Sequence, residues 1–271
     1  MFEYKRSKLR IIPYILWFGF YILLFGSLTM FLIVPFYLIS LLIAFCTFGE
    51  ALWRKISGVR PPRIKAEKTR LVPLFEEVYK QALEKDIYLP EGINIFIQES
   101  MSINAMAYGE STLVITKGSF DLLSDDCIKG MLAHELGHFS NRDPSTRLIL
   151  SIGNMPMTLL MRALSETKRK LDEASKNTIV LGLFKTAFNG IYYIFRGIEF
   201  IGELLLMPIQ RQNEYDADML AFDYGYGAEL AEALTQIYQI SMSGEPSVKE
   251  MIRSSHPPVT KRIDILENLI D

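Results

Sequence analysis

Residues 11–48 contain no charged side chain and are almost wholly apolar, and nothing else in the chain restricts its folding as strongly. A water-soluble domain has little to bury such a run against, whereas a bilayer solvates it. As one helix it would extend about 57 Å at ~1.5 Å per residue, nearly twice a hydrocarbon core of ~30 Å. Two short membrane helices are therefore expected, over about 11–26 and 28–48, meeting near Gly26 and Ser27. A cleaved signal peptide fits less well, because the run is too long and no small-residue cleavage site precedes the next charges.

The flanks orient this hairpin. Lys5, Arg6, Lys8 and Arg10 precede it; Arg54, Lys55, Arg60, Arg63, Lys65, Lys68 and Arg70 follow, against only Glu50 and Glu67. Two basic flanks place both ends, and the domain behind them, on the cytoplasmic side. The expected organisation is a membrane anchor over 1–55, a basic linker over 56–70 that contains Pro61 and Pro62, and a domain over 71–271.

Within that domain, apolar spacing suggests a helix over 71–85, a buried strand over 93–97, and strands over 102–107 and 112–116 joined by a turn at Tyr108, Gly109 and Glu110. Ser124, followed by Asp125 and Asp126, reads as the N-cap of a helix ending near Asp143 and Pro144. Helices are expected over 228–242 and 257–270, with a loop over 243–255 between them. The segments 148–164 and 178–209 are apolar but carry polar stripes; Lys185, Asn189, Arg196, Glu199 and Glu203 share about 80° of a helical wheel. Such stripes suit membrane-associated helices that line a wet cavity or lie in the interface, and equally a soluble amphipathic pair. The lysines between the segments count against a second membrane crossing, and their aromatic content counts for one.

The formal net charge of −2, from 29 basic and 31 acidic residues, gives no field suited to nucleic acid, and no basic-aromatic module is present. The two cysteines, Cys46 and Cys127, have neither disulfide nor metal-site spacing.

Chemistry concentrates at His134-Glu135-Leu136-Gly137-His138. Residues four apart on a helix project from one face, so two imidazoles can bind one cation while Glu135 reaches a water beside it as a general base. A catalytic zinc needs a third protein ligand and an open fourth position. Glu214 can supply the ligand, and Asp218, one turn later, is placed to accept the other N–H of a histidine, His134 foremost. The chain has three histidines, and the third, His256, precedes Pro257 and Pro258. His256 and Arg262 are the remaining candidates for stabilising an oxyanion.

These motifs, in this order, resemble the gluzincin membrane metallopeptidases, which include the HtpX-type proteases and the CAAX prenyl proteases. The resemblance runs from about residue 70 to 271 and rests on residues 104–109, 134–143 and 211–218, and on His256, Pro257, Pro258, Arg262 and Ile263. Ile209 and Gln210 stand before Arg211, where such enzymes usually carry Ser or Ala. The resemblance implies a mainly α fold with a small β-sheet, an N-terminal transmembrane hairpin followed by a zincin-like metallopeptidase domain. It implies one Zn2+ per chain, the same roles for His256 and Arg262, a hairpin at 148–209 in HtpX-type members, and substrate binding at an edge strand containing Asn104 and Ala105. The residues alone leave that strand open to being a plain structural hairpin.

The expected activity is membrane-bound zinc endopeptidase action on unfolded or membrane-protein polypeptides, in quality control, in a bacterial-type plasma membrane with the active site facing the cytoplasm. Two other readings stand beside it. One is a narrowly specific CAAX-type processing protease, and the other a zinc-binding membrane scaffold without turnover. An intact Glu135 and an open coordination position argue against the scaffold, since structural zinc sites are usually closed by four protein ligands.

Overall fold

A computed structural model of the chain describes residues 47–144, 155–174, 179–241 and 257–270. The expected membrane helices at 11–26 and 28–48 lie outside these residues except for the last two positions, and so does His256. Among the described residues no helix is long and apolar enough to cross a membrane. The fold is mainly helical with one small sheet, and it divides into two units. One comprises the described parts of 42–149 and 209–271, the other those of 150–208.

In the first unit, α1 (Thr47–Ile56) leads to β1 (Val59–Arg60) and, through a π-helical turn (Glu67–Leu71), to α2 (Val72–Lys85). Then come β2 (Asn94–Gln98), β3 (Ala105–Tyr108), β4 (Thr112–Thr116), the short α3 (Lys117–Leu122) and α4 (Asp125–Asn141). The strands lie in the order β1-β2-β4-β3. β1 runs antiparallel to β2, β2 parallel to β4, and β3 antiparallel to β4 with Ala105 opposite Ile115 and Ala107 opposite Leu113. β3 is thus an edge strand. Tyr108 was expected in the turn but closes β3 opposite Thr112, because Gly109, at φ +62°, makes the reversal one residue later.

Ser124 caps α4, its side chain accepting from the Cys127 N–H at 3.1 Å. Leu132 and Leu136 of α4 are fully buried with Val78 of α2, Ile97 and Ile115 of the sheet and Leu266 of the last helix. This core fixes α4 as the unit's central rod. Residues 209–224 form the end of α6 (Ile179–Tyr224), followed by α7 (Gly227–Ser241) and α8 (Val259–Ile270). Gly137 permits close packing of α4 on α6: a Cβ there would stand 3.0 Å from the Ala217 carbonyl oxygen and 3.1 Å from its Cα.

The second unit contains α5 (Met155–Ala174) and the first part of α6, whose Pro208 marks the boundary between units. From the polar side of α6 Lys185 reaches α5, 2.9 Å from Asp172, and Tyr192 lies 3.5 Å from Ser165. Val180, Leu183, Phe184, Ile191, Ile194 and Ile201, which share about 100° of the opposite side of the helix, are exposed.

Candidate active site

α4 delivers His134, Glu135 and His138, α6 delivers Glu214 and Asp218, and α8 delivers Arg262; all six side chains are buried. The imidazoles stand edge to face, 4.7 Å apart and at 81°. His134 Nδ1 lies 2.8 Å from Asp218 Oδ1, and His138 Nδ1 lies 3.1 Å from Asp143 Oδ2. A neutral imidazole that donates from Nδ1 offers its Nε2 lone pair to a cation, and both Nε2 atoms face Glu214, at 3.6 Å from Oε2 and 3.5 Å from Oε1.

One ligand atom from each of His134, His138 and Glu214 can be chosen so that all lie within 4.8 Å of one another, and these residues could hold a metal ion. The spacing fits zinc. Ligands at ~2.0–2.1 Å from a tetrahedral ion stand about 3.3–3.4 Å apart, close to the two nitrogen–oxygen distances. The charge also fits, since among the described residues four buried carboxylates (Glu135, Asp143, Glu214, Asp218) lie around the histidines and one permanent cation, Arg262, pairs with two of them.

In the metal-free chain, burial opposes protonation of both histidines, but hydrogen bonds outweigh it. Asp218 and Glu214 raise His134, and Asp143 and Glu214 raise His138 to about 9. Burial would raise Asp218, yet His134 and Arg262 hold it below the usual carboxylate range.

Glu135 is not one of the three converging residues. Its Oε2 accepts the Ala107 N–H at 2.8 Å, a donor on the free side of β3, so this carboxylate and the edge strand are in direct contact. Asn104, just before β3, points its carbonyl inward, accepting from the Thr116 N–H at 3.0 Å. Ala105, two residues before Ala107, turns its backbone toward the same free edge.

Arg262, offered by the sequence as an oxyanion donor, is engaged with carboxylates. Its Nε donates to Asp218 Oδ2 at 2.7 Å and its Nη2 to Oδ1 at 2.6 Å, with Nη1 3.3 Å from Glu214 Oε2. Two contacts had not been read from the sequence. The first is Asp143 on His138, for which the signal was an acid five residues after the second histidine; the second is Ala107 on Glu135, which no spacing rule gives.

The model of peptidase family M48 matches residues 74–270. The chain belongs to peptidase family M48. This M48 chain is 28% identical to Protease HtpX of Actinobacillus pleuropneumoniae serotype 5b, the match covering 78% of this chain and 75% of that one. It is 26% identical to a Protease HtpX homolog of Bacteroides fragilis strain YCH46, over 85% of this chain and 77% of that one. Among solved structures it is similar in fold to Ste24p of S. mikatae, with a TM-score of 0.56 and 20% identity, covering 89% of this chain and 58% of that one. The M48 chain thus spans less than two thirds of Ste24p, and it is a metallopeptidase by family.

Proposed function

We propose that this M48 chain is a membrane-bound, zinc-dependent endopeptidase in which His134, His138 and Glu214 hold one Zn2+ per chain. When bound there, zinc supplies Lewis-acid polarisation of a peptide carbonyl and favours ionisation of water. Glu135 takes the proton from the attacking water and is placed to return it to the leaving amine as the peptide C–N bond breaks. Its hydrogen bond from Ala107 restrains one carboxylate oxygen and leaves the other to face the reaction. Asp218 and Asp143 keep both Nδ1 atoms protonated, and Arg262, gripping Asp218, acts as a positioning residue. The oxyanion role rests with His256, which precedes the buried Pro257 in the sequence.

The substrate is an extended polypeptide lying along β3, its main chain pairing with the free edge at Ala105, while Asn104, whose backbone is bonded inward to Thr116, sets where that edge begins. Membrane attachment is supported by the uncharged run 11–48 and by the second unit, where α6 leaves a stripe of large apolar side chains exposed. Such a setting favours unfolded and membrane-protein polypeptides from the cytoplasmic side of a bacterial-type plasma membrane, a quality-control role, over CAAX-type processing.

One observation carries the reading: two imidazole Nε2 atoms converge on one carboxylate beside a glutamate that has one oxygen held by Ala107. Zinc content and β-casein cleavage of wild type, Glu214→Ala and Glu135→Gln test it. The expected result is about one zinc in wild type and Glu135→Gln, a loss of zinc in Glu214→Ala, and cleavage by wild type alone. Full zinc retention in Glu214→Ala removes the third ligand from the proposal, and turnover by Glu135→Gln removes the base.

A further inference from the structure

Glu50 is a buried carboxylate, 6% exposed, that takes no part in the site around His134. It stands on α1, immediately after the uncharged run 11–48, and reaches into the turn between β3 and β4. Its Oε1 accepts the Ser111 N–H at 3.2 Å and the Ser111 hydroxyl at 3.1 Å, its Oε2 accepts the Glu110 N–H at 3.3 Å, and the Thr112 hydroxyl also donates to it.

Neighbouring residues of α1 reinforce the contact. Arg54 donates to Thr112 Oγ1 at 2.7 Å and holds its guanidinium 4.9 Å from the Phe96 ring centroid. Trp53 stacks on Tyr108 with centroids 3.4 Å apart and planes at 13°. Gly109 is fitted against the carboxylate: a Cβ there would lie 2.7 Å from Glu50 Cδ.

Closing a short hairpin does not require this. A turn containing a glycine at positive φ satisfies itself locally, and a desolvated carboxylate brought from 60 residues away is costly unless well paired. What the arrangement adds is rigidity at one place. β3 has four residues and a partner strand on one side only, so the sheet holds it from one side alone. Ala107, whose N–H reaches Glu135, adjoins the stacked Tyr108. An edge already ordered loses less conformational freedom when a peptide pairs with it.

We propose that Glu50 is a positioning residue for the polypeptide substrate: from α1 it fixes the β3–β4 turn and so holds the free edge of β3 in register with Glu135. The proposal rests on the reading of β3 as the substrate edge. It also makes α1, the segment leaving the apolar run, part of the substrate-binding apparatus.

The test uses the full chain in detergent with Glu50→Gln, which preserves shape but turns an amide group toward donors, and Glu50→Ala. Each is measured for zinc content, for KM and kcat on β-casein, and, combined with Glu135→Gln, for Kd of a fluorescent unfolded β-casein fragment. Hydrogen exchange of residues 107–111 is followed in parallel. The expected outcome is a rise of about tenfold in KM and Kd, the order set by one to two net hydrogen bonds. kcat should stay within about twofold of wild type, since the interaction orders the ground and transition states alike. Zinc content should be unchanged, and exchange should be faster at 107–111 but not in α4. Unchanged Kd and KM, or a fall in kcat with loss of zinc, overturns the proposal. Absence of cleavage by wild type strikes the peptidase reading instead, while the Kd comparison still decides on Glu50.

Discussion

Arg142 is a non-glycine residue in the left-handed region, at φ 60° and ψ 24°, and one half of the site depends on it. Its N–H caps α4 on the carbonyls of His138 and Phe139, and the reversal brings Asp143 back onto His138 Nδ1 at 3.1 Å. Such a conformation costs about 1–2 kcal/mol outside glycine, so the surrounding contacts must hold it. Asp143→Ala is expected to lower zinc affinity by about 10–100-fold in a chelator competition, the usual effect of losing a partner that orients a ligand, with the fold intact. An unchanged affinity would mean that Asp143 does not orient His138. The contrast with Asp218 shows what a sequence can disclose. His134 with His138, and Glu214 with Asp218, are pairs one helical turn apart, and helical spacing alone places each pair on one face. Asp143 acts through a left-handed reversal, and Glu50 through a tertiary contact spanning 60 residues; neither follows any local period. Arg262 had a visible position but not a visible partner.

Two elements can be tested independently of turnover. Gly137 lets α4 and α6 approach, and the atoms a Cβ would meet, at 3.0–3.1 Å, belong to the Ala217 backbone, which cannot rotate away. Gly137→Ala should separate the histidine helix from the Glu214 helix, destabilise the protein by about 1–3 kcal/mol as overpacking does, and weaken zinc binding. A variant with wild-type affinity and stability would show the contact to be slack. The other element is the turn at Glu67–Leu71. Arg60 grips the Glu67 carboxylate at 2.8 and 2.9 Å, with the Arg63 N–H at 2.7 Å and the Ile64 N–H at 3.2 Å. The Arg60 hydrogen bonds, opposed by burial and aided by the two backbone donors, lower this carboxyl from its ordinary 4.5 to about 2. A depressed carboxyl stabilises the fold above its unfolded pKa and loses that contribution as pH falls toward its folded value, so the window is about pH 4.5 down to 2. The contribution at neutral pH is on the order of 3 kcal/mol. Thermal unfolding should show a gap between wild type and Glu67→Gln that is full at pH 6 and shrinks steadily below pH 4.5; a gap independent of pH contradicts the pairing.

For the whole molecule, the sequence conveyed a mainly helical chain with a small sheet and its longer elements, because periods of 3.6 and 2 are local; it read 56–70 as a linker, where Val59–Arg60 pair with β2 and Glu67–Leu71 form a helical turn, and it missed the short helix Lys117–Leu122. It conveyed the polar stripe of α6 but not its direction, which only the packing of Lys185 on Asp172 supplies. Under the proposed function the first unit lies in the cytoplasm behind a membrane hairpin. Cysteines introduced near residues 3 and 66 of a chain lacking its native cysteines should therefore both be labelled only from the cytoplasmic side. Labelling of either one from outside would replace the hairpin by a single crossing. The central claim is that two imidazoles and one carboxylate of this chain hold a catalytic zinc. Zinc K-edge X-ray absorption on the purified full chain addresses it most directly. The account predicts about one zinc per chain with two imidazole nitrogens and oxygen donors at ~2.0–2.2 Å, and no sulfur. A chain without zinc, a shell containing sulfur at ~2.3 Å, or a third imidazole would contradict it.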